Sequence, residues 1–360
     1  MKNENKKRSK LGGVLKIIAF VLILIMTLPI VILIIIKGIN ALRFNIGKDG
    51  VQESKYIKLG GYEQYVKIRG NKKDNPVLIF LHGGPGSPDG FLSYTYQPQL
   101  EDEYTCISWD QRGCGRTFYK SPNAPISLEN MLVDLDDLVN YATNNFSKDI
   151  FIVGHSWGSL LGIEYAAKYP DKIDGYIGVG QFTDSIESGR LQGVAAAAAA
   201  RSAGNEEEAL RIEELAETII DFSDNSFDSK QYLELSTFGS RYLNPNEKSP
   251  ILAALCSPDL WWNDLRYQMI IMFNISEYFE MQAHITKNTF SQFKPPGKLT
   301  VPAAFIGGDK DYICSTVLAK EYANKIGKPF YEMKDFGHLP MFDNPDEFVK
   351  TLKEALNNLK

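Results

Sequence analysis

The sequence predicts an α/β fold: a mostly parallel sheet with helices on both faces, interrupted by an inserted helical lid and preceded by an N-terminal transmembrane helix. Three observations predict it. Short, wholly apolar runs alternate with segments of helical period early and late in the chain, the pattern of buried parallel strands joined by helices. Between Phe182 and Pro295 the helical periods continue without any such run. Ile17–Ile36 is a stretch of 20 residues without a charge.

The chain opens with a basic tail, residues 1–13, in which Lys2, Lys6, Lys7, Arg8 and Lys10 face only Glu4. Residues 14–37 form the predicted anchor. Twenty helical residues span roughly 30 Å, the thickness of a bilayer core. A cleaved signal peptide is the rival reading, but its apolar part is shorter and ends in small residues. Here the run ends Ile-Ile-Ile-Lys, so an uncleaved single-pass anchor is expected. The basic tail then stays in the cytoplasm and the rest of the chain lies on the outer face of the cell membrane. Residues 38–50 read as a linker.

The remaining elements follow in order. Val77–Leu81 (VLIFL), Thr105–Trp109 (TCISW), Ile150–Val153 (IFIV), Tyr176–Val179 and Ala303–Ile306 (AAFI) are compact apolar runs and predict buried strands. Phe330–Met333 is strand-like. Leu128–Asn145 carries apolar residues at helical spacing, Ser159–Lys168 is a helix ended by Pro170, and Asp346–Leu359 is an amphipathic helix. In the insert, Ala195–Ala200, Glu206–Asp221 and the aromatic-rich Leu260–Phe279 predict helices, and Pro295-Pro296-Gly297 closes it. The expected domains are a core of residues 51–181 and 296–360 and a lid of residues 182–295.

Composition narrows the function. With 44% hydrophobic and 23% charged residues, the chain of 360 residues can bury a large core. A net charge of −5 argues against a nucleic-acid partner. Cys106, Cys114, Cys256 and Cys314 make no C-x-x-C pair, so they read as small hydrophobes rather than zinc ligands. No metal or nucleotide motif is found, and no cofactor is expected.

Gly154-His155-Ser156-Trp157-Gly158 fits G-x-S-x-G and stands between the IFIV run and a helix. That strand–turn–helix context is what the motif requires, because the sharp turn lifts the serine hydroxyl above the sheet. A serine needs a base, and the chain has four histidines, His82, His155, His284 and His338. With the order serine, acid, histidine, His82 and His155 come too early and His284 precedes the candidate acids, leaving His338. The orienting acid belongs on the loop after AAFI, where Asp309 and Asp311 both qualify by spacing. An oxyanion needs amide donors. Trp157, following the serine, offers one, and the loop His82-Gly83-Gly84-Pro85-Gly86 offers the other.

HGGPG (82–86), WDQRGCGRT (109–117), GHSWGS (154–159), GxxD (308–311) and GH (337–338), in this order, resemble the proline iminopeptidase branch of the α/β-hydrolases. The resemblance covers roughly residues 55–180 and 298–358. It implies the α/β-hydrolase fold, the triad Ser156, Asp311 and His338, and oxyanion donors at the amides of Gly84 and Trp157. The Asp110–Thr117 segment is similar to an ordered loop beside the family's site, its charges structural. Family members that cleave N-terminal proline hold the substrate ammonium with lid glutamates, often in a Trp-x-x-Trp-Glu segment. Trp261-Trp262-Asn263-Asp264 is loosely similar, which implies Trp261, Trp262 and Asp264 as substrate-binding residues. The expected function is a serine hydrolase acting on a small molecule or short peptide, an aminopeptidase first and a carboxylesterase or lactonase second. Epoxide chemistry on this fold would place an aspartate at position 156. A non-catalytic binding protein would have lost a triad member.

Overall fold

In the computed structural model, residues 2–218, 229–274, 278, 280, 282, 285, 289–290 and 292–359 are described. One eight-stranded sheet organises the chain: β1 (Val51–Leu59), β2 (Tyr62–Gly70), β3 (Val77–Leu81), β4 (Thr105–Trp109), β5 (Ile150–His155), β6 (Gly175–Val179), β7 (Ala303–Gly308) and β8 (Phe330–Met333). The order is β1-β2-β4-β3-β5-β6-β7-β8. β1 pairs antiparallel with β2 and β2 with β4. Every later pairing is parallel. The apolar runs therefore became the parallel strands, as expected of strands buried on both faces.

Alternation along these strands feeds two cores. Val77, Ile79, Leu81, Ile150, Ile152, Tyr176 and Phe305 point to one face, where helices Leu128–Asn145 and Trp157–Lys168 cover them. Leu78, Phe80, Phe151, Val153, Ile177, Val179 and Ile306 point to the other, under the terminal helix Pro345–Asn357. The period of two makes this division automatic. Ser127 caps the first of these helices by accepting the Asn130 amide, and Met131, Leu135, Leu138 and Ala142 form its buried stripe.

The β1–β2 hairpin was not anticipated. β1 is an edge strand that alternates exposed and half-buried residues, and β2 buries Gln64, Lys67 and Arg69. Their polarity hides the strand pattern. Arg69 is satisfied by Glu101 at 2.6 Å. Gly60-Gly61, with φ of +53° and +86°, makes the turn. Short helices Gly115–Lys120, Thr316–Lys325 and Pro340–Asp343 complete the core.

The first helix runs unbroken from Lys2 to Arg43, through Pro29. It therefore extends past the anchor expected at 14–37 and makes residues 38–43 helix, not linker. Its segment Ile23–Arg43 has a mean hydropathy of 2.4 and is long and apolar enough to cross a membrane.

Between β6 and β7 the described residues form helices Ser185–Ser202, Glu206–Thr218, Ser229–Leu243, Ile251–Cys256 and Trp262–Phe273. The first three share a small core of Ala196, Ala197, Ala200, Ala209, Ile212, Leu215 and Leu235. The alanines permit close approach: a Cβ on neighbouring Gly193 would lie 2.3 Å from Ala216 Cβ. The expected stretch to Asp221, and the residues Phe279 and His284, lie outside the described residues.

Candidate active site

β5 delivers Ser156 to a turn that ordinary residues avoid. Its φ is +53° and ψ −122°, and it immediately precedes helix Trp157–Lys168. The strain is held from both sides. The Ser156 amide donates to Val179 O at 3.0 Å, and its carbonyl accepts from the Ser159 amide at 2.8 Å. A Cβ on Gly154 would sit 2.3 Å from Gly158 O, and one on Gly158 would sit 2.1 Å from Leu81 O. Both motif glycines are thus required by backbone contact, which explains G-x-S-x-G here in steric terms.

His338 follows β8 in a loop. Its Nδ1 donates to Asp311 Oδ2 at 2.9 Å, with Oδ1 at 3.0 Å. Asp311 sits just beyond β7, its side chain 1% exposed. It also accepts the amides of Ile313 at 2.8 Å and Cys314 at 2.9 Å. Such a carboxylate is fixed in place and holds one histidine tautomer. Asp309, the other candidate by spacing, accepts the Asp335 amide at 2.7 Å and lies 3.6 Å from Lys334 Nζ. It braces its own loop. The geometry thus separates two residues that spacing left equal.

The Ser156 hydroxyl lies 4.0 Å from Cys314 Sγ and makes no hydrogen bond to His338 in this rotamer. Contacts of this kind commonly tighten only around substrate. Burial, then the charge of Asp311, pushes the Cys314 thiol well up, so the sulfur is a neutral neighbour.

The other two core histidines support the site. Burial chiefly, then the adjacent His338, drives His155 down to about 3. His155 Nε2 donates to His338 O at 2.8 Å, and the rings are 4.7 Å apart. Burial holds His82 down to about 4. Its Nδ1 donates to Gly83 O at 2.8 Å and its Nε2 accepts the Gln111 amide at 3.3 Å. Gln111 also accepts from Trp157 Nε1 at 2.9 Å. One hydrogen-bond chain therefore ties the 82–86 loop to the residue after Ser156. The loop crosses close above the serine: a Cβ on Gly83 would lie 3.1 Å from Ser156 Cβ. Gly84 has φ +114°, and a Cβ there would come within 2.6 Å of Gly86 N. Trp157 starts a helix, where first-turn amides lack intrahelical acceptors.

The loop from Asp110 to Thr117 is a brace. Asp110 Oδ2 accepts the Arg116 amide at 2.8 Å, and Arg112 is paired with Asp134. Arg116 takes Asp264 at 2.7 Å and Asp259 at 3.2 Å.

That last pairing bears on the expectation for Trp261, Trp262 and Asp264. Asp264 is buried, its charge met by Arg116 and its Oδ2 capping the Trp261 amide at 2.8 Å. Arg116 and the Trp261 amide take both of its oxygens. Both indoles face outward from the lid. Asp264, with Arg116 and the Trp261 amide, forms a joint between lid and core.

Glu247, which the sequence did not single out, lies against the loop that follows Asp311. It follows helix Ser229–Leu243 in an irregular stretch. Its Oε2 accepts from Tyr312 Oη at 2.5 Å and Ser240 Oγ at 3.3 Å. Its Oε1 is buried without a hydrogen-bond partner among the described residues, as is Asn244 Nδ2. Asn244 presses on Gly337, next to His338: a Cβ on that glycine would lie 2.1 Å from Nδ2. Burial raises the Glu247 pKa, and the charge of Asp343 adds to the rise; the Tyr312 hydrogen bond and His338 act against it. Close by, a cavity of about 320 Å³ opens between the first lid helix and the Asp311 loop, lined in part by Ser188, Leu191, Gln192, Asp311 and Tyr312.

The family of the α/β-hydrolase fold matches residues 76–345. A probable aminopeptidase, YbaC, of Bacillus subtilis (strain 168) is 25% identical over 329 residues, 85% of this chain and 96% of the relative. A proline iminopeptidase of Clostridium botulinum is 25% identical over 326 residues, 84% of this chain and 97% of the relative. The crystal structure of a proline iminopeptidase-related protein from Thermus thermophilus superposes with a TM-score of 0.58 at 20% identity, covering 86% of this chain and 98% of that one.

Proposed function

The chain belongs to the α/β-hydrolase family and is a hydrolase of its proline iminopeptidase-like kind; from that premise we propose that it is a serine hydrolase with Ser156 as nucleophile, His338 as base and Asp311 as orienting acid. The observation that carries this reading is the His338–Asp311 pair beside a serine held at positive φ. Ser156 Oγ attacks a substrate carbonyl while His338 Nε2 takes its proton. The amides of Gly84 and Trp157 receive the oxyanion. His338 returns the proton to the leaving amine or alcohol as the C–N or C–O bond breaks. Water then attacks the acyl-Ser156 ester, again through His338, and frees the acid.

An aminopeptidase is favoured within this class. A substrate ammonium buried beside the triad needs a carboxylate opposite it. Glu247 Oε1, buried and without a hydrogen-bond partner among the described residues, is the candidate. The decisive comparison is prolyl-aminomethylcoumarin against its N-acetylated form and a short p-nitrophenyl ester, with Ser156→Ala as the blank. Cleavage of the free amine that is lost on capping supports the aminopeptidase. Equal rates on capped and free amides, or activity on esters alone, leave a carboxylesterase or lactonase.

The proposed location is the cell membrane, with residues 1–13 in the cytoplasm and the hydrolase domain on the outer face, through the apolar helix and its basic tail. Protease added to spheroplasts should digest the hydrolase domain. Its protection, or a mature form lacking residues 1–36, overturns this topology.

A further inference from the structure

The lid carries one helix with its amphipathicity reversed. Along Trp262–Phe273 the inward positions include Asp264 and Tyr267, both buried. The outward positions Trp262, Leu265, Met269, Met272 and Phe273 are apolar, Trp262 67% and Phe273 77% exposed. They recur at helical spacing, so they form a stripe rather than scattered residues. Trp261, 63% exposed, and Ile251 and Leu252 on the preceding short helix are outward too. A water-facing lid helix would show the opposite pattern.

The neighbouring element indicates what covers this face. Lys37, at the end of the uncharged run of the first helix, donates from Nζ to Leu260 O at 2.8 Å. One turn later, Asn40 Nδ2 donates to Cys256 O at 2.9 Å. Both acceptors are on the lid, one at the end of helix Ile251–Cys256 and the other immediately before Trp261. The lid face is therefore attached at the level where the apolar run ends. In a membrane-inserted chain that level is the interface between hydrocarbon and water, where Trp rings are favoured and lysines mark the boundary.

We infer that the outward face of helices Ile251–Cys256 and Trp262–Phe273 docks into the headgroup region of the bilayer that holds the anchor, continuing the anchor's own lipid contact. The inference rests on the anchoring proposed above. It gives the hydrolase domain a fixed posture: an apolar helix lying in the interface plane, not a domain swinging on a tether. The exposed Arg266 beside the stripe suits anionic headgroups. The docked helix also reaches the catalytic loops. From its inner side Tyr267 Oη donates toward Gly86 O at 3.1 Å and Gly113 O at 3.0 Å. Lipid contact on one face is thus one side chain away from the 82–86 loop on the other.

Two of the four tryptophans, Trp109 and Trp157, are buried in the hydrolase core. Fluorescence quenching in reconstituted full-length protein therefore reads Trp261 and Trp262 selectively. The experiment uses phosphatidylglycerol–phosphatidylcholine vesicles with doxyl groups placed shallow or deep in the acyl chain, after flotation has separated vesicle-bound protein. Shallow doxyl lipid should quench, Trp261→Phe with Trp262→Phe should abolish most of that quenching, and Phe273→Glu with Met269→Glu should weaken it while the protein still floats. Floating protein whose emission responds to aqueous acrylamide and not to doxyl lipid overturns the docking and leaves the anchor standing. Indoles shielded from both quenchers in a cross-linkable dimer assign the face to a second copy and also overturn it. Protein that fails to float rejects the anchor and the docking together.

Discussion

His338 Nδ1 lies 2.9 Å from Asp311 Oδ2, and the carboxylate that stands only two residues earlier in the chain turns away to the amide of Asp335. The two aspartates differ in what they can do for the imidazole. Asp311→Asn should lower kcat by roughly 10⁴-fold, because an amide no longer stabilises the protonated histidine or its tautomer. Asp309→Asn should leave kcat near the parent value and lower thermal stability slightly. Steady-state kinetics on any turned-over substrate decides, and the reverse order of effects would reassign the acid.

Glu247 should govern recognition of a free amine. Removing the charge opposite a buried ammonium costs about 3 kcal/mol, roughly 10²-fold in kcat/KM. Glu247→Gln should show that loss on a free-amine amide and little change on an uncharged ester. A uniform fall on both would place Glu247 in the support of His338 rather than in the substrate pocket.

Asp264 should matter for stability and not for substrate choice. Asp264→Ala removes one of the two carboxylates on the buried Arg116 and the cap on the Trp261 amide, a loss of roughly 1–3 kcal/mol with Asp259 still in place. Urea unfolding should show the loss. The ratio of free-amine to ester turnover in surviving folded enzyme should equal that of the parent.

Gly158→Ala should be poorly tolerated. The added Cβ meets the Leu81 carbonyl at 2.1 Å, a backbone atom that cannot rotate aside. A loss of about 3 kcal/mol or more is expected, together with loss of labelling of Ser156 by a fluorophosphonate probe. A stable, fully labelled variant would show that the turn has slack the packing does not suggest.

Acid should unfold the core through its buried histidines. His155 and His82 are held down to about 3 and about 4 when folded, against about 6.5 in an unfolded chain. The unfolded state therefore binds more protons below pH 6.5, and stability is present above that pH and lost as pH falls toward 4 and then 3. Each histidine contributes a slope of up to about 1.4 kcal/mol per pH unit in that window. His155→Gln should flatten the pH dependence of the urea midpoint between pH 6 and 4. An unchanged slope would mean that His155 is protonated in the folded protein.

The sequence by itself determined the α/β core, because strands buried on both faces must be apolar throughout and so stand out from amphipathic helices. VLIFL, TCISW and the G-x-S-x-G turn are legible for that reason: each obeys a local rule of burial or backbone sterics. The hairpin β1–β2 was not legible, since Lys67 and Arg69 are buried by partners far along the chain, Glu101 among them. The choice between Asp309 and Asp311 also passed beyond spacing, because it depends on where the loop after β8 returns His338. Nor does the sequence pair Asp264 with Arg116 or Glu247 with Tyr312. What a carboxylate can bind depends on which donors already face it, and only the folding of Arg116 onto Asp264 and of Tyr312 onto Glu247 put those partners in place.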